Sequence, residues 1–323
     1  MAALQADRIL EELSRLWADL AKAGGETEGV VRACALTLIV FAEESDDPAA
    51  IAEILAHLMR EQPNRAIVVR VRPGGAPLLE HQVLSQCWKP FGGREQICCE
   101  RIEITASDRS LRDLAPVLTA LRAPDLPVVL WYRSARVFEA VDASIFPADK
   151  LIVDSDTSEP RSIFERLAGA GPAVADLAWT RLTRWRALVA QTFEGPRCRE
   201  LMPDLDRIHV LYSGNRVPAR ALYLAAWIVD ALGRDVECRF DAVEGEPGEL
   251  QGLELAAGDV RHVSIRRYGD AALIEADGSR NCTGLPRLGE AELLAEELSV
   301  SSFRDPVFTR VLRRAAGLAS EVR

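Results

Sequence analysis

Five runs of aliphatic and aromatic residues constrain the first half of this chain more than any other feature: Val30 to Phe41, Arg65 to Val71, Ile102 to Ala106, Leu126 to Tyr132 and Lys150 to Asp154. Several are apolar at almost every position, which suits strands buried on both faces, and the intervals between most of them have helical periodicity. After Pro48 the residues Ile51, Ile54, Leu55, Leu58 and Met59 share one helix face, with His57 turned away from it toward solvent. Ser107 or Asp108 caps a helix through Leu121, and Ser158 and Pro160 open another over Ile163 to Leu167. An amphipathic lead-in helix, Leu4 to Lys22, carries Ile9, Leu13, Leu16, Trp17 and Leu20 on one side and is stopped by Gly24 and Gly25. The expectation for residues 1–172 is an α/β domain whose mostly parallel sheet is flanked by helices.

The second half has a different rhythm. Gly169 to Ala175 reads as a linker, and Asp176 to Phe193 as one helix. Asp206 to Tyr212 is strand-like, Ala219 to Leu232 is an almost wholly apolar and therefore buried helix, and Val236, Cys238 and Phe240 alternate with polar residues as a half-exposed strand. Beyond a polar loop, Asp241 to Leu250, three strands follow: Val260 to Arg267, Ala271 to Ala276 and Arg280 to Leu285. The turns Tyr268-Gly269-Asp270 and Asp277-Gly278 join them as an antiparallel meander. Helices over Gly289 to Leu298 and Pro306 to Leu318 close the chain. Residues 173–323 thus form an α+β domain, and a length of 323 residues agrees with two domains rather than one.

Charge and cysteine usage narrow the class of function. A net charge of −10 repels nucleic acid and anionic membranes, so neither is expected as a partner. The amino terminus lacks the charged start, apolar core and cleavage site of a signal peptide, and no apolar run approaches the roughly 20 residues that span a bilayer. A cytoplasmic protein is expected. The seven cysteines show no paired CxxC spacing, and most are expected to be reduced and buried. Cys98 and Cys99 are adjacent on a strand, point to opposite faces and so share neither a disulfide nor a metal.

The binding candidates are concentrated in the second half. In the segment DLAWTRLTRWRALVAQTF (Asp176 to Phe193), helical projection puts Ala178, Leu182, Trp185, Val189 and Phe193 on one stripe, with Arg181 and Arg184 beside it and Trp179 off it. Either this is a core helix with solvated arginines, or Trp179, Arg181, Arg184 and Arg186 form a binding face, since exposed tryptophan beside arginine is enriched in interfaces. A second candidate is the loop after the Asp206 to Tyr212 strand, where Ser213, Asn215 and Arg216 precede a helix start and suit an anion. The loop DSDTS, Asp154 to Ser158, ends another strand and offers Asp154 and Asp156 to a metal or sugar, or to helix capping. RPGGAP, Arg72 to Pro77, reads as a turn. GxGxxG, GxxxxGK[ST] and GxSxG are all absent, and His57, His81, His209 and His262 stand on separate elements. No cofactor, metal or catalytic residue is expected, and a binding or regulatory protein is the economical reading.

At Asp176, Leu177, Ala178, Trp179, Thr180, Arg181, Leu182 and Thr183, then Trp185 and Arg186, the chain resembles the glucose-6-phosphate dehydrogenase assembly protein family, OpcA. Similar blocks follow the same order at Arg32 to Glu44, His57 to Val69, Ala123 to Arg133, Leu151 to Ser155 and Leu293 to Ser299. The resemblance runs over nearly the whole chain and leaves out the meander and the cysteines. It implies a non-catalytic partner of glucose-6-phosphate dehydrogenase that promotes the enzyme's oligomeric assembly and activates it, a regulator of the oxidative pentose phosphate pathway. The other reading is a sugar-phosphate or anion sensor, or an enzyme without a recognisable motif, built on the loops after the Lys150–Asp154 and Asp206–Tyr212 strands.

Overall fold

A computed structural model describes residues 2–23, 30–74, 78–91, 95–141, 144, 146–171, 173–276, 278–299 and 304–322. The chain is of the α/β class and divides into two compact units that are not contiguous in sequence: Met1–Asp154 with Ala170–Ala175 and Glu290–Phe303, and Ser155–Gly169 with Asp176–Gly289 and Arg304–Arg323.

The first unit is built on an eight-stranded sheet. Its strands are β1 (Val30–Arg32), β2 (Leu36–Glu43), β3 (Asn64–Arg72), β4 (Leu79–Trp88), β5 (Gln96–Ser107), β6 (Val128–Tyr132), β7 (Lys150–Val153) and β8 (Ala173–Asp176). The order is β1-β5-β3-β2-β6-β7-β8, with β4 antiparallel on the other edge of β5. β2 pairs in parallel with β3 and β6, and every residue from Leu36 to Ala42 is buried, as the unbroken apolar run requires. Helices α1 (Ala2–Ala23), α2 (Pro48–Glu61), α3 (Leu111–Leu121) and α4 (Ala135–Ala140) connect and flank the strands. α2 starts where Asp47 accepts a hydrogen bond from the Ala49 amide at 2.9 Å and Pro48 fills the first turn.

Two local expectations are corrected here, and one strand lies where patterning shows none. Val30 to Phe41 is two strands, β1 on β5 and β2 at the centre. Gly169 to Ala175 is not simply linker, since β8 begins at Ala173 and joins the sheet. The stretch before Trp88 is a strand, β4, whose register sets Cys87 opposite Cys98, and the two form a disulfide. The free cysteines are Cys34, Cys99, Cys198, Cys238 and Cys282, and burial pushes the Cys99 thiol up to about 11. Gly24, Gly25, Asp277 and the end of the Arg72 to Pro77 turn lie outside the described residues.

The second unit carries a six-stranded sheet of β9 (Arg207–Ser213), β10 (Glu237–Val243), β11 (Leu250–Ala257), β12 (Val260–Tyr268), β13 (Ala271–Ala276) and β14 (Ser279–Gly284). The order is β10-β9-β11-β12-β13-β14; β10 is parallel to β9 and all other pairs are antiparallel. The meander therefore has a fourth strand, β11, in a stretch where patterning shows none. Gly269, at φ +58°, supplies the left-handed residue of the β12–β13 turn. The helices are α5 (Pro160–Ala168), α6 (Leu177–Thr180), α7 (Thr183–Thr192), α8 (Pro196–Leu201) and α9 (Ala219–Leu232). α9 packs on β9 and is buried along most of its length.

Two helices close the chain. α10 (Glu290–Ser299) belongs to the first unit, where it packs on α2 and holds the buried Lys150, whose Nζ donates to the Glu297 carbonyl and carboxylate, both at 2.7 Å. α11 (Pro306–Glu321) belongs to the second and packs on α9 and α5. None of the helices among the described residues is long and apolar enough to cross a membrane.

Candidate functional site

The segment from Asp176 to Phe193 is two helices, not one. The Asp176 carboxylate caps α6 by accepting from the Ala178 amide at 2.9 Å, and the Thr180 hydroxyl donates back to the Asp176 carbonyl at 3.1 Å. The chain then tightens, the Leu182 amide donating to the Trp179 carbonyl at 3.0 Å, before α7 resumes. This break turns Trp179 inward. Of the projected stripe, Ala178, Leu182, Trp185 and Val189 are buried and Phe193 is half-buried, but Trp179 is only 4% exposed and belongs to the core as well.

Trp179 sits in an aromatic cluster drawn from four helices. Its ring lies 6.1 Å from Tyr223 and 5.7 Å from Phe308, and Phe164 is 4.8 Å from Tyr223. The Arg186 guanidinium covers its ring at 3.7 Å, and its indole N–H donates to Asp305 at 3.3 Å. The fully buried Asp176 also accepts from the Tyr223 hydroxyl at 2.7 Å and the Ser155 amide at 3.1 Å. Burial, reinforced by the Asp176 charge, holds the Tyr223 phenol well above its ordinary value. Trp179 thus belongs to the interior of the second unit, with the half-buried Arg186 laid over its ring.

The outward half of the same segment meets a cavity of about 120 Å³. Five arginines line it: Arg181 and Arg184 from the α6–α7 region, Arg220 from α9, Arg267 from β12 and Arg287 after β14. Trp185, Leu285, Pro286 and Leu288 supply an apolar wall, and Glu249 is the one carboxylate among the described residues that line it. Arg220 pairs with Asp156 at 2.7 Å and Glu249 at 3.1 Å, and Arg181 with Asp156 at 3.4 Å. Arg287 is spread over Glu246, Glu249 and Asp270 at 3.1–3.9 Å. Arg184 is exposed and makes no hydrogen bond or ion pair among the described residues. Arg267 lies 5.8 Å over Trp185 and donates to the Gly269 and Leu285 carbonyls at 3.0 and 2.9 Å, while its buried Nε has no hydrogen-bond partner. Burial pulls the Arg267 guanidinium below its ordinary pKa. Sequence patterning finds Arg181 and Arg184 but not Arg220, Arg267 and Arg287, which only the fold brings to them.

The loop of Ser213, Asn215 and Arg216 is arranged differently. The buried Ser213 hydroxyl donates to the backbone carbonyl of Glu246 and accepts from Gln251 at 3.1 Å, so it ties β9 to the following loop. Asn215 and Arg216 are exposed, and Arg216 reaches the Asp156 carbonyl at 3.3 Å. The anion at the start of α9 is the chain's own: Asp156 accepts from the Arg220 amide at 3.2 Å. Asp156 therefore serves capping and ion pairing. Among the described residues no three His, Cys, Asp or Glu side chains are grouped to hold a metal.

The first unit contains a second cleft. In its sheet the connections run away from β2 in both directions, to β3 and β5 on one side and β6, β7 and β8 on the other. That is the doubly wound order of dinucleotide-binding sheets, whose ligands sit at the carboxyl ends of the two central strands. A cavity of about 400 Å³ lies there, but the loop after β2 reads Glu43-Glu44-Ser45-Asp46-Asp47 in place of a glycine-rich turn. Asp46 takes the Glu43 amide at 2.8 Å and Arg133 at 3.1 Å, and Glu43 takes the Ser134 hydroxyl at 2.6 Å. The Glu43 amide at the end of β2 is thus taken by a carboxylate of the chain itself.

The chain is similar to several known proteins. The family model described as the glucose-6-phosphate dehydrogenase subunit N-terminal domain matches residues 56–169, and the one described as the C-terminal domain of that subunit matches residues 172–312. The chain is 32% identical over 146 residues to a protein of Nostoc punctiforme provisionally named OxPP cycle protein OpcA, covering 42% of this chain and 30% of that one. A relative of the same name from Synechococcus elongatus is 29% identical over 196 residues, covering 56% of this chain and 42% of the relative. The chain thus matches less than half the length of these curated relatives. Among solved structures, biliverdin reductase of Synechocystis aligns over 89% of this chain and 99% of its own with a TM-score of 0.44 and 8% identity. With both halves matched in order by the two subunit models, the chain belongs to the OpcA family of glucose-6-phosphate dehydrogenase subunit proteins.

Proposed function

We propose that this chain is a non-catalytic factor of the cytoplasm that binds glucose-6-phosphate dehydrogenase, promotes its oligomeric assembly and raises its activity in the oxidative pentose phosphate pathway. The observation that carries the reading is the in-order match of both halves to domains described as subunits of that dehydrogenase. The acidic loop in the switch-point cleft supports a role without a dinucleotide, because Glu43 and Glu44 line it and Asp46 takes the Glu43 amide.

An activator must bind the assembled enzyme more tightly than the unassembled one, which needs a specific surface. Of the four residues expected to bind the partner, Arg184 is exposed and Arg181 half-buried, and these two are proposed to touch the dehydrogenase. Trp179 and Arg186 are proposed to hold that surface in place from beneath. The test is the specific activity and sedimentation of the same organism's dehydrogenase with and without this protein at equal concentration. A rise in activity together with a shift to a larger species is expected; no change in either, in reducing and in oxidising buffer, would overturn the reading.

A further inference from the structure

We propose that the arginine-lined cavity of the second unit is a binding site for a small phosphate-bearing molecule, with Arg181, Arg184, Arg220, Arg267 and Arg287 as its cationic wall and Trp185 as its apolar floor. This inference is independent of the dehydrogenase reading, since it concerns a ligand of this chain alone.

The site is assembled from separate parts of the chain: the α6–α7 region, α9, β12 and the segment after β14. Five guanidinium groups repel one another, so their convergence needs compensation. The protein provides it only in part. Asp156, Glu249, Glu246 and Asp270 engage Arg181, Arg220 and Arg287. Arg184 has no hydrogen bond or ion pair among the described residues, and Arg267 lies over Trp185 and hydrogen-bonds carbonyl oxygens, with the charges of Glu249 and Asp270 acting on it from further away. The buried Arg267 Nε is an N–H donor with no acceptor, and leaving such a group unsatisfied costs about 1–3 kcal/mol. A bound anion in the cavity supplies the missing charge. It also offsets the burial that lowers the Arg267 pKa.

Guanidinium forks match the tetrahedral oxygens of phosphate in paired hydrogen bonds, which makes a phosphate group the anion of best fit. Trp185, Leu285, Pro286 and Leu288 beside the arginines give the organic part of a phosphate ester an apolar surface to rest on. The cavity, about 120 Å³, has room for a phosphate group, with the rest of a small ester at its mouth, rather than for a protein segment. It is distinct from the loop of Ser213, Asn215 and Arg216, whose hydroxyl is already committed to the backbone.

Calorimetric titration of the whole chain at fixed ionic strength decides the matter, with inorganic phosphate, glucose 6-phosphate and glucose as probes. Saturable heat from the phosphate compounds and none from glucose is expected. An ester that binds more tightly than inorganic phosphate assigns the apolar wall a part, and equal affinities assign the arginines alone; both uphold the site. Replacing Arg184→Ala together with Arg287→Ala is expected to weaken binding about tenfold or more, while Arg216→Ala leaves it unchanged. Arg184 is exposed and Arg287 half-exposed, so this variant keeps the fold, checked by its melting temperature. No saturable heat at millimolar phosphate compound overturns the proposal. So does loss of binding in Arg216→Ala with full binding in the double variant, or an arginine variant that impairs only association with the dehydrogenase, which would make the cavity a socket for an acidic protein side chain.

Discussion

At the scale of single residues, the segment that carries the family likeness divides by direction. Trp179 is enclosed by Tyr223, Phe308 and the Arg186 guanidinium, so Trp179→Ala leaves a void in the second unit and a cation without its ring. A loss of about 3–5 kcal/mol in denaturant unfolding is expected, against a change within about 0.5 kcal/mol for the exposed, unpaired Arg184→Ala. Equal effects of the two substitutions would show that Trp179 is not in the core. Tyr223 adds a pH signature. Its phenol is raised above the ordinary value near 10, so the stability it confers is fully present below about pH 10 and is lost as pH rises through the folded-state value. Unfolding free energy should therefore fall above about pH 10, and the fall should be shallower in Tyr223→Phe. That variant also leaves an oxygen of the buried Asp176 without its Tyr223 donor, so it starts from lower stability at neutral pH.

At the scale of elements, the disulfide offers the plainest measurement. Cys87 and Cys98 join the edge strand β4 to β5 across 11 positions of sequence. Closing a loop of that size stabilises by about 2–3 kcal/mol, so Cys87→Ser should lower the denaturation midpoint accordingly and increase amide exchange in β4 before β3. An unchanged midpoint would mean that β4 holds by its pairing alone. The same strand shows where patterning is silent. β2 is legible because all but its last residue is buried, whereas β4 is half-exposed along its length and carries Glu80, His81, Gln82, Ser85 and Gln86, the composition of a loop. Without β4 nothing sets Cys87 opposite Cys98. β11 is hidden for another reason: Gly252 interrupts it, at a crowded position where a Cβ would stand 2.9 Å from Arg266 Cδ and 3.1 Å from the Ile265 carbonyl. The break between α6 and α7 escapes helical projection because a uniform turn angle cannot register the tightening at Leu182. For the site, Arg181 and Arg184 are legible through their neighbourhood to two tryptophans, while Arg220, Arg267 and Arg287 look like ordinary surface charges until the fold gathers them.

At the scale of the whole molecule, the chain carries a net charge of −10, and against that field a cavity walled by five arginines is a local reversal of sign. Such a reversal orients an approaching partner and sets association rate more than the lifetime of the complex. If Arg184 meets the dehydrogenase, Arg184→Glu should raise the concentration of this protein needed for half-maximal activation by about tenfold, mainly through slower association, and more strongly at low salt than at high. Its melting temperature should stay put, because Arg184 is exposed and makes no hydrogen bond or ion pair among the described residues. Stopped-flow association at two ionic strengths checks this: a substitution that lowers the association rate equally at both does not act through long-range charge. Linkage then ties the rim to the cavity. A phosphate compound that neutralises the arginines changes affinity for the dehydrogenase by some factor, and the dehydrogenase must change affinity for the phosphate compound by the same factor. Measuring both factors separates one coupled surface from two neighbouring but independent ones: equal factors different from one mean that the arginines report small-molecule phosphate to the enzyme, and factors of one mean that they do not.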